Sequence, residues 1–571
     1  MSSLLSFQAH LENYRQKKYY ALFLSVLGGF LMALGWYFPF SPLLFIGFVP
    51  MIELIEFYFN KNEIQKKEQQ KNTEDKPKKK KYFTRLCFFI WIYFIIWNAG
   101  VYWWLWNALS VGVIGVFLLN SFLQLLPIIF YIFTRRFSVG FINYLSLVSC
   151  WLFFEYVHLN WVLSYPWMNL GNALGEVPMW AQWYEYTGTL GGTIWILLAN
   201  ILAYHVFIKS EIKVGAFLVW IFVPIAISYG IYMNYDDKNN ELNNQKTTEI
   251  AVIQPNLDCY TEKFARNPQT GEPSTNHIPF ENQIQRYIDL AKSVITDSTK
   301  YIILPETAFH QNSTEYNYTS QPDLKPIFDF CRENNLILIS GADTYKFYAQ
   351  TDTIPKTARK SRNGNAYYDS YNSAVQFVPF VEDSVSFYHK SKLVIGAETN
   401  PIKRVLPNQK ASLVFVDIMG SLGVQDYRSI FSSPNTEAKV APVICWEAVY
   451  GEFCTEYAQN GANVIVVPTN EGWWGNTPAP RQLWALSALR AIETRRSVAR
   501  AANTGISGFI DQKGKDISKS NYGEQAALKH KVKLNNEITF YTQHGDYLGR
   551  LAGFLAVLLF VSAFVRKLRN R

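Results

Sequence analysis

"APVICWEAVYGEF", residues 441–453, sets a β-branched apolar run against a cysteine, Cys445, and follows it with two carboxylates, Glu447 and Glu452. The run Pro442-Val443-Ile444 reads as a buried strand, because short β-branched runs fit the interior of a sheet. Taken alone, the cysteine that ends it reads as core, since free cysteine is among the most buried residue types. A thiol becomes a nucleophile only with a base or a cation beside it. What Cys445 does, and what fold presents it, therefore depends on what the other strand ends deliver.

The surrounding chain is unusually apolar. Of its 571 residues 49% are hydrophobic and 16% aromatic, with 17 Trp, 35 Tyr and 41 Phe, more than one soluble domain normally carries. The apolar residues are concentrated from Tyr19 to about Asn234 and again from Leu548 to Val565, while Asp236 to Tyr547 has ordinary globular composition. This pattern predicts three parts: an amino-terminal transmembrane domain of about seven helices over 1–235, a soluble domain over 236–546, called the catalytic domain on the motifs given below, and a closing helix with a basic tail over 547–571. Roughly 20 apolar residues in helix cross a hydrocarbon core. Candidate spans lie at 20–37, 42–59, 83–105, 110–134, 141–158, 189–208, 214–233 and 548–565. The first is too long, and lacks the small-residue cleavage site, to be a removable signal peptide.

The net charge of +9 raises nucleic acid as a partner, and the placement of the charge argues against it. Lys and Arg gather at Arg15, Lys17 and Lys18, in the run from Lys61 to Arg85, at Arg135 and Arg136, at Lys209 and Lys213, and at Arg566, Lys567, Arg569 and Arg571. With the spans above, all of these fall on one side of a bilayer. The alternate loops, including His158–Leu190 with Glu176 and Glu185, carry no Lys or Arg. The positive-inside rule then puts both termini in the cytoplasm, and seven spans before Asp236 put the catalytic domain in the periplasm. The expectation is a multi-pass protein of the bacterial inner membrane with the bilayer as partner, no nucleic acid and no metal. The six cysteines, Cys87, Cys150, Cys259, Cys331, Cys445 and Cys454, show no CxxC or Cys/His spacing.

Within the catalytic part, strand candidates are 249–256, 301–306, 336–343, 373–380, 440–447, 463–471 and 505–511, with a helical period over 480–500. The alternation predicts an α/β arrangement of helices layered over sheets. No glycine-rich phosphate loop follows a strand, so nucleotide binding has no support. Three strand ends deliver reactive groups: "ILPE" gives Glu306, "YHKSKLV" gives Lys390 and Lys392, and "PVIC" gives Cys445. Each alone is a charge or thiol capping a strand. Together they supply acyl transfer with a carboxylate base, an ammonium for the oxyanion and a sulfur nucleophile.

On these motifs, with "NEGWWG" at 470–475 and "RSVARAANTGISGFI" at 496–510 in the same order, the chain resembles the nitrilase, or carbon–nitrogen hydrolase, superfamily. With the multi-span part and the loop "SYPWMNLGNAL" at 164–174, it resembles more narrowly its membrane-embedded branch, the apolipoprotein N-acyltransferases. The resemblance covers nearly the whole chain. It implies a multi-span α-helical membrane domain joined to a nitrilase-like αββα sandwich. It also implies Glu306 as general base, Lys390 as oxyanion-stabilising lysine and Cys445 as nucleophile, supported by Glu398, Glu447 and Trp446, with Trp473 and Trp474 on the substrate side. Lys390 is preferred to Lys392 because Glu398 lies eight residues after it. Two positions depart from the pattern: the usual "VPFGE" reads "VIGAE" at 394–398, and Trp446 stands where tyrosine is common. Both bear on the contour of the acyl and headgroup pocket.

The resemblance implies ping-pong transfer without a cofactor, by a chain expected to act as a monomer. A membrane phospholipid donates its sn-1 acyl chain to Cys445 as a thioester. The α-amino group of a diacylglyceryl cysteine, at the start of an apolipoprotein, then accepts it. A membrane-anchored amidase for small substrates would use the same three residues, and a non-catalytic scaffold would lack one of them.

Overall fold

A computed structural model of the chain describes residues 15–569 except 16, 72–81, 139, 242–245, 350–351, 356, 362–365, 382 and 400–421. The lysine-rich centre of the 61–85 run and Arg571 lie outside the described residues. Among the described residues seven α-helices of 15 residues or more precede residue 246: α1 (Tyr20–Leu34), α2 (Val49–Lys71), α3 (Tyr82–Tyr102), α4 (Gly112–Arg135), α5 (Phe141–Asn160), α6 (Tyr184–Ala203) and α7 (Val214–Glu241). The catalytic part adds α8 (Phe280–Lys292), α9 (Lys325–Glu333), α10 (Gly451–Gln459) and α11 (Pro478–Thr494), and α12 (Tyr547–Arg569) closes the chain. Among the described residues six helical stretches are long and apolar enough to cross a membrane, and they take in all or part of α2, α3, α4, α6, α7 and α12. The other two expected spans are α1, an apolar helix of 15 residues, and α5, which carries buried Glu155 and His158.

The bundle turns large apolar side chains outward: Phe23, Phe30, Phe122, Phe222 and Leu558 are exposed. Water would oppose this at about 25 cal/mol per Å² of apolar surface, and hydrocarbon does not. Small residues let the helices close up. A Cβ on Gly549 of α12 would lie 2.6 Å from Tyr156 Cβ of α5, and one on Gly553 would lie 2.7 Å from the Phe153 ring, the close approach that a small-xxx-small pattern permits. Inside, Asn98 donates to Gln124 Oε1 at 2.7 Å and accepts from Asn120 Nδ2 at 2.6 Å, so α3 and α4 satisfy each other's amides away from lipid.

The basic ends gather at one pole, where Arg135 pairs with Glu56, Arg136 lies 5.6 Å from the Phe83 ring and Arg566 donates to the Phe137 carbonyl at 2.7 Å. The catalytic part meets loops of the bundle through Ser164 and Tyr450 (2.9 Å), Asn107 and the Trp474 carbonyl (2.7 Å), and Arg495 and Gln182 (2.9 Å).

The catalytic part is two sheets face to face with helices outside, an αββα sandwich. Its strands are β1 (Thr247–Gln254), β2 (Thr299–Ile303), β3 (Phe309–Thr314), β4 (Ile337–Tyr348), β5 (Arg359–Lys360), β6 (Tyr367–Val378), β7 (Ser384–His389), β8 (Phe431–Ser433), β9 (Thr436–Pro442), β10 (Val464–Thr469), β11 (Ser497–Ala502), β12 (Gly508–Ile510), β13 (Asp516–Lys519) and β14 (Ala526–Lys533). One sheet runs β14-β1-β2-β4-β6-β5, with β3 on β4 and β7 on β6; the other runs β13-β12-β11-β10-β9-β8. Alternation assigns the faces. Ile250 and Val252 of β1 pack in one core with Val440, Val464 and Ala499 of the opposite sheet, whereas Ile253 and Ile302 pack with Ile284 of α8 and Phe328 of α9.

Two expected boundaries move in ways that bear on the site. The helical period over 480–500 ends as α11 at Thr494, Arg495 takes φ +53°, and 497–502 is the buried strand β11. The strand expected at 440–447 ends at Pro442, and Cys445 opens a short 3-10 turn instead.

Candidate active site

Strand ends build the site because strands packed side by side finish along one edge, whatever their distance in sequence. Glu306 follows β2, Lys390 follows β7 and Cys445 follows β9. Lys390 Nζ donates to Glu306 Oε1 and to Glu398 Oε1, both at 2.9 Å. Asn372 Nδ2, on β6, donates to the same two oxygens at 2.8 Å each. The Cys445 thiol sits close enough to the Glu306 carboxylate that each shifts the other's pKa. Lys392 points elsewhere, its Nζ 4.8 Å from the Tyr450 ring centroid. All three residues are at least nine-tenths buried.

Charge follows from this geometry. Burial would discharge Glu306, but the Lys390 ammonium and the donors around it more than offset that and lower its pKa. Burial likewise opposes the Lys390 charge, and Glu306 with Glu398 reverse the effect, holding its pKa well above the usual lysine value. Burial first and the Glu306 carboxylate second push the Cys445 thiol up to about 12, with Lys390 pulling the other way. The resting site therefore holds an ammonium, an ionised Glu306 and a neutral thiol.

Cys445 itself adopts φ +48°, a region that residues with a Cβ rarely enter and that clusters at functional sites. Glu447 clamps this turn: its carboxylate accepts from the Ile444 N–H (2.8 Å), the Ser391 N–H (2.7 Å) and the Tyr388 hydroxyl (2.7 Å). One buried side chain thereby ties the nucleophile turn to the residue after Lys390. Glu398 is fixed through Oε2, which accepts from the Val394 N–H at 2.8 Å.

The three residues line a cavity of about 240 Å³ whose far wall is membrane helix α4, through Gly112, Gly115, Val116, Leu119 and Leu123. Aromatic rings form the sides. Trp446 stacks between Tyr165 (5.2 Å) and Trp167 (5.5 Å), Trp474 lies 5.0 Å from Trp104, and Trp473 stacks on Phe264 at 6.0 Å. Tyr165 and Trp167 come from the 164–174 loop, which thus forms part of the site wall. Among the described residues no cluster of His, Cys, Asp or Glu could hold a metal, and all six cysteines are free.

Sequence reasoning missed several participants. Asn372 lies one residue before the strand read from 373. Fully buried Lys263 donates to the Thr307 hydroxyl (2.8 Å) and the Glu306 carbonyl (3.3 Å), pinning a turn where Thr307 takes φ +52°. Asp343, on β4, lines the cavity, and burial raises its carboxyl to about 7. Arg500 on β11 forms a buried ion pair with Glu471 and lies within electrostatic reach of Cys445 and Glu306. A polar residue inside an apolar strand is the only sequence signal for Asn372 and Arg500; Lys263 reads as an ordinary loop charge.

A family model described as carbon-nitrogen hydrolase matches residues 250–538, and one described as apolipoprotein N-acyltransferase N-terminal domain matches residues 28–202. A relative from Chlorobaculum tepidum named apolipoprotein N-acyltransferase is 28% identical over 492 residues, covering 84% of this chain and 87% of its own. Relatives of the same name from Wigglesworthia glossinidia brevipalpis and Thermotoga maritima are 24% and 22% identical, covering 81% and 96% of this chain and 83% and 94% of theirs.

Proposed function

The chain belongs to the carbon-nitrogen hydrolase family, and from that premise we propose that it N-acylates apolipoproteins, carrying an acyl chain from a membrane phospholipid through a thioester on Cys445. The observation that carries this reading is the joining of Glu306, Lys390 and Cys445 to a cavity walled by a membrane helix. A lipid acyl chain has its own solvent on the far side of that wall, and a small water-borne amide would need no such wall.

The steps use the site's own charges. Cys445 attacks the sn-1 carbonyl carbon while its proton passes to Glu306, the C–S bond forms, and the negative charge of Glu306 moves to the carbonyl oxygen. Lys390, with a backbone N–H near Trp446, holds that oxygen, so as Glu306 is neutralised the oxyanion takes its place beside the ammonium. The ester C–O bond breaks, the departing lysophospholipid oxygen takes the proton from Glu306, and a thioester remains. The α-amino group of a diacylglyceryl cysteine attacks the thioester, and its proton passes through Glu306 to the leaving sulfur. Glu398, Glu447 and Trp446 position these groups, and Trp473 and Trp474 meet the lipid.

With the basic pole cytoplasmic, the catalytic part is periplasmic in a bacterial inner membrane. In detergent, purified protein is expected to move label from a phospholipid acyl chain to a diacylated lipopeptide. Hydrolysis of simple amides with no lipid transfer would replace this reading with the amidase one.

A further inference from the structure

We propose that His158 and Tyr165 form a polar subsite on the bundle side of the cavity that binds an ester carbonyl of a glycerolipid substrate, an inference that rests on the lipid-transfer reading above. Both residues line the cavity that holds Cys445, and both also line a smaller void of about 10 Å³ beside it. His158 is 3% exposed, yet its Nε2 has no hydrogen-bond partner, and neither has the Tyr165 hydroxyl. The Tyr165 carbonyl is near the imidazole but not in hydrogen-bonding geometry with Nε2. A buried orphaned donor is costly, and such groups are retained where something meets them.

The tautomer fixes what that something is. Trp161 Nε1–H, which can only donate, reaches His158 Nδ1 at 3.2 Å, so in the neutral ring Nδ1 accepts and Nε2 carries the proton. Nε2–H and the tyrosine O–H thus offer donors, and their ligand must accept. Among the described residues the only Lys or Arg lining the cavity is Lys390, already engaged by two carboxylates. A phosphate would be buried there without a countercharge, so a neutral oxygen acceptor fits. Tyr165 stacks on Trp446, the neighbour of Cys445, which sets the subsite beside the reacting thiol. Two sources carry the group: the non-scissile ester of the phospholipid donor, and the esters of the diacylglyceryl acceptor.

The test begins with equilibrium binding, read by tryptophan fluorescence of full-length protein in detergent and independent of turnover. Dioleoyl phosphatidylethanolamine is compared with its diether analogue, and a diester lipopeptide with its diether analogue. Wild type should bind the diester member of at least one pair about three- to tenfold tighter, the worth of one neutral hydrogen bond. His158→Phe should lose that preference, and His158→Gln, whose amide N–H replaces Nε2–H, should keep it. The pair that shows the effect identifies the source. Equal binding within both pairs by wild type, or an undiminished preference in His158→Phe, overturns the subsite and leaves these residues holding a structural water. Absence of acyl-enzyme from wild type would instead remove the lipid-transfer reading, and the binding comparison would still decide the subsite.

Discussion

Cys445 is a thiol whose proton is held by burial and by the carboxylate beside it, at about 12. In the proposed transfer, reactivity then depends on passing that proton to Glu306 within the step rather than on a standing thiolate. Cys445→Ser keeps the volume and raises the cost of deprotonation further, so transfer should fall on the order of a thousandfold or more while the protein stays folded. Cys454→Ser, at a buried position in α10, should retain activity. Glu306→Gln keeps the hydrogen bonding but cannot take a proton, and should cost roughly 10²–10⁴ in kcat. Lys390→Met differs in kind: it leaves Glu306 and Glu398 buried without their cation, a change that typically costs about 3–5 kcal/mol, so its thermal midpoint should drop along with its activity. Unchanged stability in Lys390→Met would mean that the carboxylates are not ionised together. The juxtaposition of Glu306, Lys390 and Cys445 was legible because each ends an apolar run in a fixed order. Lys263 and Asn372 were not, since their roles rest on contacts between segments distant in sequence.

At the scale of elements, β4 carries a titration that the chemistry does not need. Burial holds the Asp343 carboxyl up at about 7, Lys263 offsets part of this, and Glu306 and Glu398 add to it. Below about pH 4 both folded and unfolded chains hold this proton. Between there and pH 7 only the folded chain does, so stability from this group is lost as pH rises through that window and is level above it. Asp343→Asn should flatten that decline in unfolding followed by tryptophan fluorescence, and an unchanged slope would assign the decline elsewhere. Packing of α12 on α5 gives a second test. Gly553→Leu has no room against Phe153, and it should lower thermal stability by at least 1–3 kcal/mol, whereas Leu558→Ala, at an exposed position of the same helix, should be nearly silent in a membrane. The sheets were legible where strands are apolar throughout. β11 was read as helix because "SVARAA" carries alanine and arginine, good helix formers, and its strand state comes from pairing with β10. The polar strands β13 and β14 had no apolar signal to read.

Over the whole molecule, one arrangement joins site and bundle: a sandwich whose strand ends carry Glu306, Lys390 and Cys445, seated on loops of a bundle whose helix α4 forms a wall of the cavity. The long apolar helices ahead of a globular part were legible from hydropathy, the sandwich came with the resemblance, and the shared cavity was not legible, because its walls come from α4, the 164–174 loop and strand ends far apart in the chain. Reporter fusions after residue 350 should be active only outside the cytoplasm and fusions after Arg136 only inside, and the reverse would invert the topology and remove access to exported substrates. The central claim, that Cys445 carries the acyl group between two lipids, has a direct measurement: intact-protein and peptide mass spectrometry after incubation with a phospholipid of defined sn-1 chain and no acceptor. Wild type should gain the mass of one acyl group on the Cys445 peptide, lose it to hydroxylamine, and lose it on addition of a diacylated lipopeptide that becomes N-acylated. Full lipopeptide acylation by Cys445→Ser, or wild-type acylation with the label on any residue other than Cys445, would contradict it.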